Sequence, residues 1–315
     1  MPFAELPPVN PDSRRTLASN RWSALRQERP DLGPAVALQQ ALHGEVLDLA
    51  DRLEADRPPR LSLPPRYVTT KLRAGIPALA GERLPLPVEI LSPVLVRLGQ
   101  ALANGGGGQA TILIRDAVEG GALDAGGLLT LGFRREQGAL RAVATHAGLG
   151  HDLLWLIVDL AVSPYAHLLL RTLFHGRPTD DPLRAALAEW SHGYCPLCGS
   201  WPTLAEGLPP DGDHPDSTHR LRCSFCACAW DAPTGACVYC DNATDSYRVL
   251  SPDPRHPGRV VELCGGCKGY AKTIPTDTSA PFPLVAIADL GSMDLDMAAM
   301  QAGFSRPALR QFNRR

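Results

Sequence analysis

The chain has 315 residues, with 31 Lys and Arg against 33 Asp and Glu, for a formal net charge of −2. That length suggests two or three domains, and a hydrophobic share of 44% is enough for a sizeable core. The charge balance excludes a polycation, and the most apolar run, Leu153 to Leu173, is broken by Asp159, Pro164, His167 and Arg171, so it reads as a buried helix and no membrane span is expected.

Residues 1–12 are rich in proline and read as a segment either mobile or draped on the surface. Ser13-Arg14-Arg15-Thr16-Leu17 has the look of a twin-arginine export signal, but Arg21, Arg26, Glu28 and Arg29 follow where such a signal needs an apolar stretch. It is read as a helix start, and the protein is expected in the cytoplasm with its thiols reduced. Leu38, Leu42, Val46, Leu49 and Leu53 form one apolar face, with Pro34 in the first turn and Arg57-Pro58-Pro59 at the end. A second helix is predicted from about Pro87 to Ala103, stopped by Asn104 and the four glycines Gly105 to Gly108, which should form a loop. Residues 109–149 suggest one or two helices, followed by a long apolar helix over 151–175 and a short one over 182–192.

No pair of the histidines in this part (His43, His146, His151, His167, His175) has the spacing of a helical metal site, and the bland reading is preferred for each. The glycine run is no phosphate cradle, and no nucleophile sits in a G-x-S-x-G context. No catalytic residue is assigned.

All nine cysteines lie between Cys195 and Cys267. Eight form C-x-x-C pairs: Cys195/Cys198, Cys223/Cys226, Cys237/Cys240 and Cys264/Cys267. The first and third pairs are 42 residues apart and the second and fourth 41, so the region is one unit written twice. Two such pairs supply the four thiolates of a tetrahedral metal site. Between the pairs of each copy, short apolar runs flank a Pro- and Gly-rich loop: Gly207 to Pro215 in the first, Pro252 to Gly258 in the second. Strand, loop, strand is a hairpin signal, and knuckle, hairpin, knuckle is the plan of a zinc ribbon or rubredoxin-like module.

Disulfides would need an oxidising compartment, and a thioredoxin-type motif would need a βαβ setting; metal coordination is preferred to both. Pairing of half-sites across copies is an alternative to pairing within each copy, which leaves two complete, similar units. Trp230 and Tyr270 occupy roughly equivalent places and should pack against the metal sites. After the second copy, 271–281 should be a loop, 284–290 a strand or helix start, and 294–303 a helix. The tail from Phe304, with Arg306, Arg310, Arg314 and Arg315, should be a loose, solvated end. From Cys195 to Tyr270 there are six Lys or Arg and nine Asp or Glu, an acidic balance that disfavours nucleic acid as a partner.

The run Tyr194-Cys195-Pro196-Leu197-Cys198-Gly199-Ser200, then Leu221-Arg222-Cys223-Ser224-Phe225-Cys226 with Trp230 beyond, then Glu262 to Lys272 and an Ala288-Asp289-Leu290 … Gly303-Phe304 tail, resembles the FdhE family of formate dehydrogenase accessory proteins. The resemblance covers about 195–304. It implies a cytoplasmic protein without enzymatic activity that assists maturation of respiratory formate dehydrogenase. Such a protein binds the molybdenum- or tungsten-containing catalytic subunit before twin-arginine export. It also implies two metal ions per chain, iron in the first place with zinc also fitting. Carried over by position, the ligands are Cys195, Cys198, Cys223 and Cys226 for site 1, and Cys237, Cys240, Cys264 and Cys267 for site 2. Two departures stand out. Cys228 is an additional thiol where the family pattern has another residue, read as a spare ligand, a reactive thiol or, by preference, a small buried residue. Ala288 precedes Asp289 where the family has two adjacent acids.

The expected architecture is α plus small β: a helical domain over 1–190, rubredoxin-like modules over 191–235 and 236–275, and a C-terminal extension over 276–315 with one short helix. Two other functions fit a thiolate protein, a redox-active iron protein acting on the immature enzyme and a zinc-ribbon nucleic-acid binder. No partner surface is assigned.

Overall fold

Leucine and valine recurring at steps of three and four give the helices over 33–55 and 88–102 their buried faces. In chain order the helices are α1 (Pro11–Glu28), α2 (Gly33–Ala55), α3 (Pro65–Arg73), α4 (Val88–Leu102), α5 (Gly108–Glu119), α6 (Ala125–Phe133), α7 (Gln137–His146), α8 (His151–Phe174) and α9 (Pro182–Ala188). Strands β1 (Leu204–Leu208), β2 (Thr218–Arg222), β3 (Ala229–Asp231), β4 (Tyr247–Leu250), β5 (Val260–Cys264) and β6 (Tyr270–Pro275) follow, and then α10 (Phe282–Gly291) and α11 (Met293–Gln301). This computed structural model describes residues 3–55, 63–210, 218–232, 235–310 and 312. Arg57-Pro58-Pro59, the loop positions Gly212 and Pro215, and Arg314 and Arg315 lie outside the described residues.

The chain forms two compact units. One takes in 11–62 and 79–173; the other takes in 1–10, 63–78 and 174–310. The first is helical. Leu42, Val46, Leu49 and Leu53 of α2 are buried, and α4 packs against α2, α5 and α6. Arg14, in α1, is buried with its guanidinium on Asp51 and Glu54 of α2, and Arg15 pairs with Asp48. The twin-arginine look-alike is thus part of a helix held by carboxylates. His43 accepts a hydrogen bond from Trp22 Nε1 at 3.2 Å, and burial holds the imidazole down at about 4, a neutral core histidine. The α8 helix has the length and composition to cross a membrane, yet 67% of its most apolar window is buried within the protein, because Leu154, Ile157, Val158, Ala161 and Val162 face the core.

Three helices, α5, α6 and α7, occupy the stretch where one or two were expected. The glycine run is a kinked continuation from α4 into α5, with Gly106 at φ 99°, instead of an open loop. The short α3, which packs on α9, gave no sequence signal.

The second unit is built on one six-stranded sheet in the order β3-β2-β1-β6-β5-β4. Each cysteine copy supplies three strands: β1 and β2 pair antiparallel and β3 adds to β2, while β4 and β5 pair antiparallel and β6 adds to β5. Each module therefore has a third strand beyond the predicted hairpin, and β6 occupies 270–275, where a loop was expected from 271. The modules join through a parallel pair, β1 with β6. At one edge Ala4 donates its backbone N–H to the Ala229 carbonyl at 3.0 Å, so the proline-rich start does lie on the surface, as an added rung on β3.

One face of the sheet is covered by α11, and α10 before it is the helical one of the two alternatives expected for 284–290. Leu295 and Ala299 of α11 pack on Val261, Leu263 and Tyr270, with Ile274 and Phe304 alongside. Lys272 points to the same face, fully buried, with its ammonium on Asp289 at 2.7 Å and on Asp296.

The tail is the clearest correction. Far from loose, it is a strap. Ser305 donates its N–H to the Lys268 carbonyl at 3.0 Å, and Arg306 reaches Asp296 at 2.6 Å, Asp289 at 3.4 Å and Thr203 Oγ1 at 3.2 Å. The Trp201 indole donates to Ala308 O at 2.9 Å, and Arg310 lies over the Tyr194 ring. Two carboxylates already facing buried Lys272 leave a net negative charge that Arg306 neutralises.

Candidate metal centres

All four C-x-x-C pairs adopt one turn. In each, the backbone N–H of the residue after the second cysteine returns to the carbonyl of the first: Gly199 to Cys195, Ala227 to Cys223, Asp241 to Cys237 and Lys268 to Cys264, at 2.8–2.9 Å. The N–H of the first cysteine then reaches a carbonyl five residues on, at Ser200, Cys228, Asn242 and Gly269, at 2.9–3.0 Å. The residue after the second cysteine is left-handed in every turn, with φ of 78° at Gly199, 59° at Ala227, 58° at Asp241 and 59° at Lys268. Only the first is glycine, which is why this shared conformation is invisible in the sequence. The turn aims both sulfurs of a pair to one side.

The structure brings the sulfurs together within each copy. The Sγ atoms of Cys195, Cys198, Cys223 and Cys226 lie within 4.8 Å of one another, as do those of Cys237, Cys240, Cys264 and Cys267. In the first group Cys195–Cys226 is 3.5 Å, Cys198–Cys223 3.6 Å and Cys198–Cys226 3.8 Å; in the second, Cys237–Cys267 and Cys240–Cys264 are both 3.7 Å. A tetrahedron with bonds of about 2.3 Å has sulfur–sulfur edges of about 3.8 Å. A disulfide is about 2.05 Å, and none of the nine cysteines is in one. Donor chemistry and dimensions fit two metal ions, one per group.

Electrostatics lead to the same fit. Burial pushes the Cys195, Cys223 and Cys226 thiols well above their usual range, and it raises Cys237 as well. Four desolvated thiolates cannot coexist without a cation, and a divalent ion reverses that cost. The second group is wetter. For Cys264, burial acts upward but is outweighed by the N–H groups of Cys267 and Gly266 and the Asn242 amide, 3.5 Å from the sulfur, and the thiol sits at about 6. In the first group every cysteine is buried; in the second Cys240 and Cys267 are exposed.

Trp230 and Tyr270 are not equivalent. Cys228 and Gly269 hold matching places in their turns, so Ala229 matches Tyr270 and Trp230 matches Ala271. That one-residue offset puts the two rings on opposite faces of the sheet. Trp230 pairs with Leu221 and donates to His192 O at 3.1 Å. Tyr270 packs under α11 instead of against a metal site.

No family model matches the chain. Over 155 residues it is 36% identical to an FdhE homologue of Pseudomonas putida, a stretch that spans 48% of each protein. Over 124 residues it is 27% identical to an FdhE homologue of Aquifex aeolicus, covering 39% of this chain and 43% of that protein. The crystal structure of the FdhE protein from Pseudomonas aeruginosa matches with a TM-score of 0.62 at 23% identity, covering 98% of this chain and 97% of that one. The chain is similar to FdhE proteins, in sequence over part of its length and in fold. The sequence matches span about half the length of the curated FdhE relatives or less, while the fold is shared along nearly the whole chain.

Both departures from the FdhE pattern have a place in the structure. Cys228 is fully buried. Burial alone would raise its thiol, but hydrogen bonds with Cys195 and Cys226 outweigh that and bring it to about 7. It lies outside the four-sulfur group of its copy. Asp289, the acid that remains beside Ala288, faces inward to Lys272 and Arg306. Sequence reasoning missed Lys272, Asp296 and Arg306 as a lock on the second module, because charged residues are ordinarily read as solvated.

Proposed function

We propose that this protein is a non-catalytic maturation factor that binds the catalytic subunit of a respiratory formate dehydrogenase in the cytoplasm, before export. Its two four-cysteine groups each hold one metal ion. The observation that carries the reading is the pair of sulfur tetrahedra in a fold shared with an FdhE protein along nearly its whole length. Cys195, Cys198, Cys223 and Cys226 would hold one ion; Cys237, Cys240, Cys264 and Cys267 the other. The ions cross-link modules whose hairpins are too short to fold on their own apolar contacts. The test is affinity capture of the tagged chain from formate-grown cells. Recovery of the catalytic subunit supports the reading; its consistent absence, with and without reductant, rejects it.

A redox role is the second reading, and the exposure of Cys240 and Cys267 favours it, since an electron partner can approach that sulfur edge. It requires iron, because zinc has no second oxidation state to use. Metal analysis with a visible spectrum on anaerobically purified protein separates the two. Two irons with bands that bleach on reduction support redox chemistry, and two zincs without colour leave a structural role. The acidic balance of the modules argues against a nucleic-acid reading, which predicts salt-sensitive binding to DNA or RNA.

A further inference from the structure

The two sulfur groups share one turn but not one cover. Two residues after the first cysteine of each turn stand Leu197, Phe225, Tyr239 and Gly266. Leu197 and Phe225, in the first module, are fully buried. In the second, Tyr239 turns sideways: its ring meets Trp201 at 5.0 Å and its hydroxyl donates to Tyr270 O at 2.8 Å. Opposite it, where Phe225 has its counterpart, Gly266 offers no side chain and is exposed. The bare pair Gly265-Gly266 leaves Cys267 and its neighbour Cys240 open to solvent, while Cys237 and Cys264 stay buried.

We propose that the second group is a metal-exchange site. A thiolate from outside displaces Cys240 or Cys267 from the bound ion, so that metal passes between this site and a thiol-bearing donor or acceptor, while the first group retains its ion. This rests on the reading that both groups hold metal. In the exchange, the sulfur–metal bond of Cys240 or Cys267 breaks as a bond to the incoming thiolate forms. The freed cysteine sulfur takes up the proton that the incoming thiol released, and no electron is transferred. A displaced sulfur at this edge is hydrated, which makes its release cheap. In the first group, a displaced Cys195 or Cys226 thiolate would be stranded without water or counter-charge. Soft thiolate donors are the class that competes at a four-sulfur site. Cys237 and Cys264 are the anchors that keep the ion in place until the transfer is complete.

The experiment loads the full chain with zinc and adds glutathione in the presence of excess 4-(2-pyridylazo)resorcinol, whose colour reports free zinc. The expected course is release of one zinc per chain at a rate proportional to glutathione, with the second held much longer. Brief alkylation with iodoacetamide, read by mass spectrometry, should mark Cys240 and Cys267 first. Gly266→Phe should slow the fast phase about 10- to 100-fold by restoring a hydrophobic cover. A Cβ added there has the Asn242 amide at 3.2 Å and the Cys264 sulfur at 3.6 Å as its nearest neighbours. Should that variant fail to fold, Phe225→Gly provides the converse, making the second zinc extractable by glutathione. Release of both ions in one phase, or a fast phase indifferent to glutathione, overturns the inference and leaves the metal reading standing. Uptake of fewer than two ions overturns both.

Discussion

The two modules are copies in backbone and opposites in what surrounds them. The first is walled by large buried side chains, Leu197, Leu221, Phe225 and Trp230. It also buries an ion pair, Arg222 with Glu206, whose guanidinium donates on to Ala280 O at 2.6 Å. The second exposes Val249 and Leu250 on its outer strand. It is held by polar ties: Tyr247 to Glu262 at 2.7 Å, Thr273 to Glu262 at 2.8 Å, and Lys272 and Arg306 to Asp289 and Asp296. The repeated turn fixes where four sulfurs go. The two residues inside each turn decide whether anything can reach them.

The largest expected effect comes from the point where the copies touch. A Cβ on Gly193, two residues before Cys195 in the first module, would run into the carbonyl of Val238 in the second. Gly193→Val should therefore cost more than about 4 kcal/mol, the range of gross core disruption. Urea unfolding followed by tryptophan fluorescence measures it, and a loss below about 1 kcal/mol, typical of a benign substitution, would mean that the modules do not depend on this approach. Next come the ligand variants. Cys195→Ser and Cys237→Ser should each lower metal content from two ions to one. Cys195→Ser should destabilise by about 1–3 kcal/mol more, because its hydroxyl is left in a dry site. Equal losses in calorimetry would erase the contrast between the modules.

Arg306→Ala leaves Asp289 and Asp296 sharing only Lys272. For a guanidinium about a third exposed, the cost should be about 1–2 kcal/mol, between surface and buried pairs, with faster amide exchange in β5 and β6 as the local readout. The smallest effect tests the turns themselves. Lys268→Gly relieves a left-handed non-glycine residue and should stabilise the second module by up to about 1 kcal/mol. Ala227→Gly should gain less, since it also gives up a buried methyl worth about 0.8 kcal/mol. A matched gain in both would show that the cover around Ala227 contributes nothing.

Much of this was legible in the chain. Cysteine spacing shows the duplicated unit, and the apolar runs mark β2, β4 and β5, whereas the run expected over Trp201–Leu204 meets β1 only at its first residue and Gly207, expected in the loop, lies in the strand. The third strands were not legible: Ala229-Trp230-Asp231 is too short to show alternation, and β6 is flanked by β5 and by β1, the latter a contact between residues some 68 positions apart in its Ala205–Thr273 pair. The strap was missed for a similar reason. Arg306 is an ordinary tail arginine until α10 and α11 place two carboxylates next to buried Lys272. In the helical unit, periodicity found α2, α4 and α8, whereas α3 follows prolines and is too short to reveal a face.

The parallel seam between β1 and β6 has one more consequence. It joins the first strand of one module to the third strand of the other, all odd-order strands running the same way, so the modules follow one another head to tail instead of facing across a two-fold axis. Such a join does not close on itself. Its two ends are unlike, and each matches the other: the outer strand β4 of one molecule has the same rank in its module as β1, the very strand that accepts a third strand inside the chain. Left bare, β3 of a second molecule would be a lawful next partner, and the sheet would grow into a filament. The backbone of Phe3 and Ala4, laid along β3 at Trp230 and Ala229, occupies that position.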